Sequence, residues 1–216
     1  MPPFKNRQHA GSLLAEELLR RGYGQPPPPL IFALPRGGVP VAYPIAQRLG
    51  APLEVWVVRK LGAPGQEELA LGAIAAGGGR VLNPHILEGL GVSQAELEQI
   101  LAREQQELKR RERLYRGDRP LPEIKGKTLV LVDDGLATGA TMKATLAAAR
   151  AQGAGRLVVA APVAPPETVA ELSTQADEVI CLQTPVPFQA VGLWYQDFPQ
   201  VSDQEVLTLL EAARRG

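Results

Sequence analysis

Cysteine is almost missing: the 216 residues contain one, Cys181. It cannot close an internal disulfide, which fits a reducing compartment rather than a disulfide-stapled scaffold. Histidine is scarce too, and neither His9 nor His85 has a partner at metal-ligand spacing. Aromatic residues make up 5% of the chain. Net charge is nil, with 23 Lys and Arg against 23 Asp and Glu. No global field therefore draws the chain to nucleic acid or to an acidic membrane surface. No apolar run approaches the ~20 residues of a membrane span. The stretch MPPFKNRQHAG lacks the apolar core of a secretion signal. The pattern GxxxxGK[ST] does not occur, which argues against a P-loop nucleotidase. These absences lead to the expectation of a cytoplasmic globular protein with no membrane and no nucleic-acid partner. A hydrophobic content of 45% supports a buried core.

What is present alternates between short apolar runs and helical patterns. Helices are expected over 10–21 (with Ser12 as candidate cap), 39–49, 92–116, 139–152, 166–175 and 202–214. Ser93 with Glu96, and Ser202 with Glu205, read as capping boxes. Strands are expected over 30–34, 53–58, 128–132, 156–161 and 178–182. Nearly continuous apolar strands between helices indicate an α/β fold, an open, mostly parallel sheet with helices on both faces. Residues 61–80 are rich in Gly and Ala and read either as a mobile loop or as a hairpin turning at Gly77–Gly79. The basic cluster Lys109, Arg110, Arg111 and Arg113 interleaves with acids and reads as a solvated helix face. Cys181 falls in a strand and reads as a small buried residue.

In such sheets ligands bind beyond the carboxyl ends of the strands. That rule selects PRGG, Arg59–Lys60, DDGLATGAT and the loop at Ala164–Pro165. DDGLATGAT is the most informative. At a strand-to-helix turn, backbone N–H groups and the helix terminus together form a phosphate-sized anion site. Ala137, Gly139 and Ala140 are small enough to let phosphate oxygens reach the backbone, and Thr138 and Thr141 can donate from their hydroxyls. Asp133 and Asp134 beside such a cradle make sense if the ligand also carries hydroxyls or arrives with Mg²⁺. A sugar phosphate has both features. After the first strand, Gly37 and Gly38 permit close approach of an anion, and Arg36 adds a fork-shaped cation. Arg59 and Lys60 read either as a solvated pair or as two cations facing the same crevice.

VLVDDGLATGAT resembles the phosphoribosyl pyrophosphate signature of the type I phosphoribosyltransferases. The resemblance implies that Asp133 and Asp134 hold the ribose hydroxyls, directly or through Mg²⁺ and water. It implies that Ala137, Thr138, Gly139, Ala140 and Thr141 wrap the 5-phosphate. It places pyrophosphate on Arg36, Gly37, Gly38, Arg59 and Lys60, and leaves catalysis to Asp133, Asp134 and Arg36. A strained or cis peptide is expected at Pro35–Arg36. By the same resemblance, residues 1–183 form the core, with a flexible lid near 61–80 whose acids are Glu67 and Glu68. Residues 184–201 form a hood in which Phe188, Trp194 and Asp197 contact the base, and 202–216 add a C-terminal helix. The implied partners are phosphoribosyl pyrophosphate and a nucleobase of the purine class, in a homodimer. Ala137 departs from the 6-oxopurine enzymes, which keep an aspartate there to handle the base proton. The departure counts against hypoxanthine or guanine. It also keeps open a second reading, a non-catalytic phosphoribosyl pyrophosphate sensor.

Overall fold

A computed structural model describes residues 2–215, without the side chains of Glu67 and Glu68, so the lid role expected of those two acids lies outside the described residues. In chain order the elements are α1 (Arg7–Arg20), β1 (Leu30–Ala33), α2 (Gly38–Leu49), β2 (Leu53–Val55), β3 (Val58–Ala63), β4 (Gln66–Ala75), β5 (Arg80–Leu82), α3 (Pro84–Gly89) and α4 (Gln94–Arg116). There follow β6 (Thr128–Val132), α5 (Ala140–Ala151), β7 (Arg156–Val163), α6 (Pro166–Leu172), β8 (Glu178–Gln183), a 3₁₀ turn (Val191–Trp194) and α7 (Asp203–Arg215).

Five strands form one parallel sheet in the order β2-β1-β6-β7-β8. Their apolar runs are buried because helices flank the sheet; Val130, Leu131 and Val132 have no exposed surface at all. From β1 the chain moves outward to β2, and from β6 it moves the other way to β7. The reversal falls between β1 and β6, which is where a crevice opens in an open α/β sheet. Among the described residues, no helix is long and apolar enough to cross a membrane.

Three sequence expectations change here. The strand expected over 53–58 divides at Trp56. The Trp56 N–H still reaches the Ala33 carbonyl at 2.9 Å, while its indole N–H donates to the Ala76 carbonyl at 2.9 Å. Trp56 thus joins the core to a second, antiparallel sheet, β3-β4-β5. Of the two readings for 61–80, the hairpin is the one realised: β4 and β5 are antiparallel, with Gly77 and Gly78 between them. Leu61, Leu71, Ala73 and Ile74 are buried there, but Gly and Ala between them blur the strand periodicity. Helix α1 starts earlier than its first apolar residue suggests. Asn6 caps it, accepting from the His9 N–H at 2.8 Å, while the Ser12 hydroxyl donates to the Gln8 carbonyl. Helix α3, capped by Asn83, is short, buries no side chain and has no apolar stripe to announce it.

Other readings hold. The Ser93–Glu96 capping box is complete; of the box expected at Ser202 and Glu205, one half is formed, with Ser202 accepting from the Glu205 N–H at 3.1 Å. Arg110 and Arg111 both pair with Glu107 on the solvated face of α4. Residues 2–6 pair with the segment expected to form the hood, 184–201. The Phe4 N–H donates to the Trp194 carbonyl at 2.8 Å, and the Gln196 N–H donates to the Phe4 carbonyl at 2.7 Å. Phe4, Ala10, Val163 and Tyr195 form its small apolar core.

At the amino ends of β7 and β8, Glu178 gathers Arg21, Tyr23 and Arg156. Burial pushes its carboxyl up, but the hydrogen bonds from Tyr23, Arg21 and Arg156 outweigh it and hold the group below the usual carboxylate range. A depressed folded-state value contributes stability above the unfolded value and loses it as pH falls through the folded one. Glu178→Gln should therefore cost about 1–3 kcal/mol near pH 7, with the difference shrinking as the pH drops into the acid range. Urea unfolding midpoints at several pH values measure this.

Candidate active site

The crevice between β1 and β6 is closed at its base by the Leu34 N–H, which donates to the Val132 carbonyl at 2.9 Å. Above it lies a cavity of about 270 Å³ that runs along residues 133–141. Leu34, Pro35, Val58, Lys60 and Val191 complete its wall. The Pro35–Arg36 peptide is cis, at the position where the resemblance directs attention.

The turn into α5 is built to leave donors open. Gly139 occupies the cap position with φ of 74°, and no side chain caps the helix. Among the described residues, only a long contact, 3.4 Å from the Ala140 N–H to the Thr138 hydroxyl, satisfies any of the first donors. The remaining N–H groups and the positive end of the helix face the cavity mouth. Neighbouring elements clamp the turn. The Leu136 N–H donates to the Val163 carbonyl at 2.9 Å, and the Thr168 hydroxyl donates to the Ala137 carbonyl at 2.6 Å. A phosphate-sized anion fits this arrangement.

The two acids have different surroundings. Asp133 accepts from the Asp134 N–H at 2.9 Å. Burial, and then the neighbouring Asp134 charge, push its carboxyl well above the usual range, against the pull of Lys60. Burial also raises Asp134, but a cation opposes it: the Arg7 Nε donates to Asp134 Oδ2 at 2.8 Å. Arg7 is 8% exposed. It also donates through Nη1 to the Pro199 carbonyl at 2.6 Å and lies 3.8 Å over the Phe198 ring. Tyr195 donates to the Asp134 carbonyl at 2.5 Å.

Several expected site residues lie elsewhere. Arg59 and Lys60 are neighbours on β3, so their side chains leave opposite faces. Lys60 lines the cavity, whereas Arg59 turns to Glu104 at 2.8 Å. Arg36 is absent from the cavity wall, and its nearest acid is Asp203 at 3.9 Å. The space over Gly37 is taken by the protein's own anion, since a Cβ there would meet Asp134 Oδ2 at 2.1 Å. Gly38 abuts the Val132 carbonyl in the same way. Phe188 and Trp194 pack within the hood, and Asp197 lines a separate cavity beside Arg7. Val191 is the hood residue that reaches the cavity, lying directly over Gly135. Cys181 donates to the Gln183 carbonyl at 3.2 Å, and burial pushes its thiol up to about 11, so it stays protonated at neutral pH.

Arg7, Thr168, Val191 and Tyr195 are the contributors that sequence reading missed. Arg7 sits in a polar N-terminal stretch remote from every strand end. Asp133 and Asp134 are the side chains positioned to hold a cation. Among the described residues, no group of three or more His, Cys, Asp or Glu comes together, so further ligands would have to come from substrate and water.

Together these features define an α/β protein with an uncapped helix turn and paired carboxylates at its topological switch point. The chain belongs to the type I phosphoribosyl transferase family: the model of the phosphoribosyl transferase domain matches residues 6–197. The crystal structure of TT1426 from Thermus thermophilus is 47% identical, with a TM-score of 0.80 over 97% of this chain and 98% of that one. A "Putative phosphoribosyl transferase" of Mycobacterium tuberculosis is 45% identical over 215 residues, covering 100% of this chain and 48% of the relative. The chain therefore spans about half the length of the curated relatives it matches. The AQ2163 protein of Aquifex aeolicus shares the fold at 15% identity, with a TM-score of 0.50 over 82% of this chain and 74% of that one.

The contact of Val191 with Gly135 yields a test. A Cβ on Gly135 would meet a Val191 methyl at 2.4 Å. Gly135→Ala should therefore displace the hood and cost about 1–3 kcal/mol. Val191→Ala in the same chain should recover part of the loss, as read by thermal unfolding of both variants.

Proposed function

We propose that the chain transfers the 5-phosphoribosyl group from phosphoribosyl pyrophosphate to a nitrogenous base, releasing pyrophosphate. One observation carries this reading: a single cavity joins paired carboxylates to an uncapped helix N-terminus. Few ligands need both, and a phosphorylated sugar does. The 5-phosphate sits on the open N–H groups at 138–141, and Asp133 and Asp134 accept hydrogen bonds from the ribose hydroxyls. Lys60, on the facing sheet, meets the pyrophosphate. In the reaction the sugar C1–O bond to pyrophosphate breaks and a C1–N bond to the base forms. The base nitrogen gives up its proton to the departing pyrophosphate or to water, because Ala137 offers no carboxylate at the turn to receive it.

Catalysis of this kind is mainly positioning and electrostatics. The sugar carbon becomes electron-poor as pyrophosphate departs, so water must be kept away. Leu34, Val58, Leu136 and Val191 supply the apolar part of the wall. The same wall suits a flat ring, and a purine is the first base to test. Mg²⁺ suits the two acids: both offer carboxylate oxygens to one cavity, and since burial pushes both carboxyls up, a cation bound there would favour their charged forms. Bound there with substrate oxygens, it would neutralise charge on the leaving pyrophosphate.

Pyrophosphate release should be assayed with phosphoribosyl pyrophosphate, Mg²⁺ and a panel of bases. The expected result is base-dependent release that Asp133→Asn with Asp134→Asn lowers by at least ~100-fold while circular dichroism stays native. Unchanged kinetics in the double variant would overturn the assignment. Tight binding with no release on any base would mark the chain as a ligand sensor instead.

A further inference from the structure

We infer that Arg7 is a positioning residue of the proposed reaction, holding the Asp134 carboxylate so that the sugar is gripped only while the hood is docked on the core. The inference rests on the transfer reading above. Its own support is that Asp134 is held at both ends, by the hood residue Tyr195 and by Arg7 of α1, which the hood in turn fixes. Tyr195 takes the Asp134 backbone carbonyl, and Arg7, itself fixed by Phe198 and Pro199, takes Oδ2. The other carboxylate oxygen, Oδ1, takes no hydrogen bond from an N–H group or hydroxyl among the described residues; the Asp134 carboxyl lies beside that of Asp133, and both acids line the ligand cavity. A carboxylate on a short stem can rotate. With Oδ2 pinned between Arg7 and the Gly37 backbone, the rotation is removed and Oδ1 is left for a ligand hydroxyl.

A purely structural ion pair would need neither feature. Its acid could sit anywhere in the core, and its main chain would need no second hood contact. Here the polar contacts of Arg7 end on the hood or on an acid that also faces the cavity. A second cavity of about 220 Å³ adjoins Arg7 on the side of Tyr43 and Asp197. It gives a small cation a way to reach the place a truncated side chain would vacate.

Arg7→Ala should raise KM for phosphoribosyl pyrophosphate by about 10–100-fold, with KM for the base changed far less. Millimolar methylguanidinium should restore part of the loss in Arg7→Ala, but none when Asp134→Asn is added. Arg7→Lys, which keeps charge without the fork, should fall between. Tyr195→Phe, which frees the other end of Asp134, should shift the same KM in the same direction and serves if Arg7→Ala does not fold. A lowered Tm with unchanged KM in the folded variants would make Arg7 structural only and overturn the inference. Direct titration separates this outcome from failure of the parent reading. No binding of phosphoribosyl pyrophosphate by the unaltered chain would sink the function itself. Binding there, with the same Kd in Arg7→Ala, would sink this inference alone.

Discussion

The ion pair between Arg7 and Asp134 is the contact on which the rest of the site depends. Neither partner is stable alone where it sits. Removing one member of a buried pair leaves an uncompensated charge, at a cost on the order of 3–5 kcal/mol. The pair spans 127 residues of sequence and ties α1 to the end of β6. Through Pro199 and Phe198 it also ties both to the hood. The position of the paired acids is therefore set by three separate parts of the chain, and the strand they end supplies only part of it.

That arrangement resolves a conflict within one short turn. Residues 133–141 must carry negative charge at one end and attract an anion at the other. The two ends are kept apart by assigning each a different neighbour. Asp134 is answered by Arg7 behind it and Asp133 by Lys60 across the cavity, while the α5 terminus is left without any side-chain cap. The Gly37 backbone lets the acidic end pack closely, because any Cβ there would strike the carboxylate. Gly37, which the resemblance gives to pyrophosphate, thus also makes room for an internal anion.

Much of this is legible in the sequence, and what is not has definite causes. Strand β6 and its turn stand out because an unbroken apolar run, two acids and a small-residue turn are all local signals, as is the α4 capping box. Arg59 is misplaced by sequence reading because β3 looks like the end of a core strand; once the chain leaves at Trp56, strand alternation sends Arg59 to Glu104. Phe188 and Trp194 draw attention for their ring character, but the hood spends its rings on its own small core and presents Val191 to the cavity. Arg7 leaves no trace, since a polar helix start with one arginine looks like any solvated terminus. Local chemistry reads well from sequence; partnerships that close over more than a hundred residues do not.

The hood has a consequence in time as well as in space. One of its layers is made by residues 2–6 and the other by 184–201, and the Arg7–Pro199 hydrogen bond joins positions 192 apart. Contacts this distant bear a large loop-closure entropy and form late. During synthesis from the N-terminus, Arg7 emerges first and must wait for nearly the whole chain before its partners on the hood exist. The parallel sheet can assemble without them, but the acids at its crevice then stay unanswered. The segment that closes over the longest separation is thus also the one that seals the charge at the centre, and a chain stopped short of Tyr195 would carry the signature turn without the means to aim it.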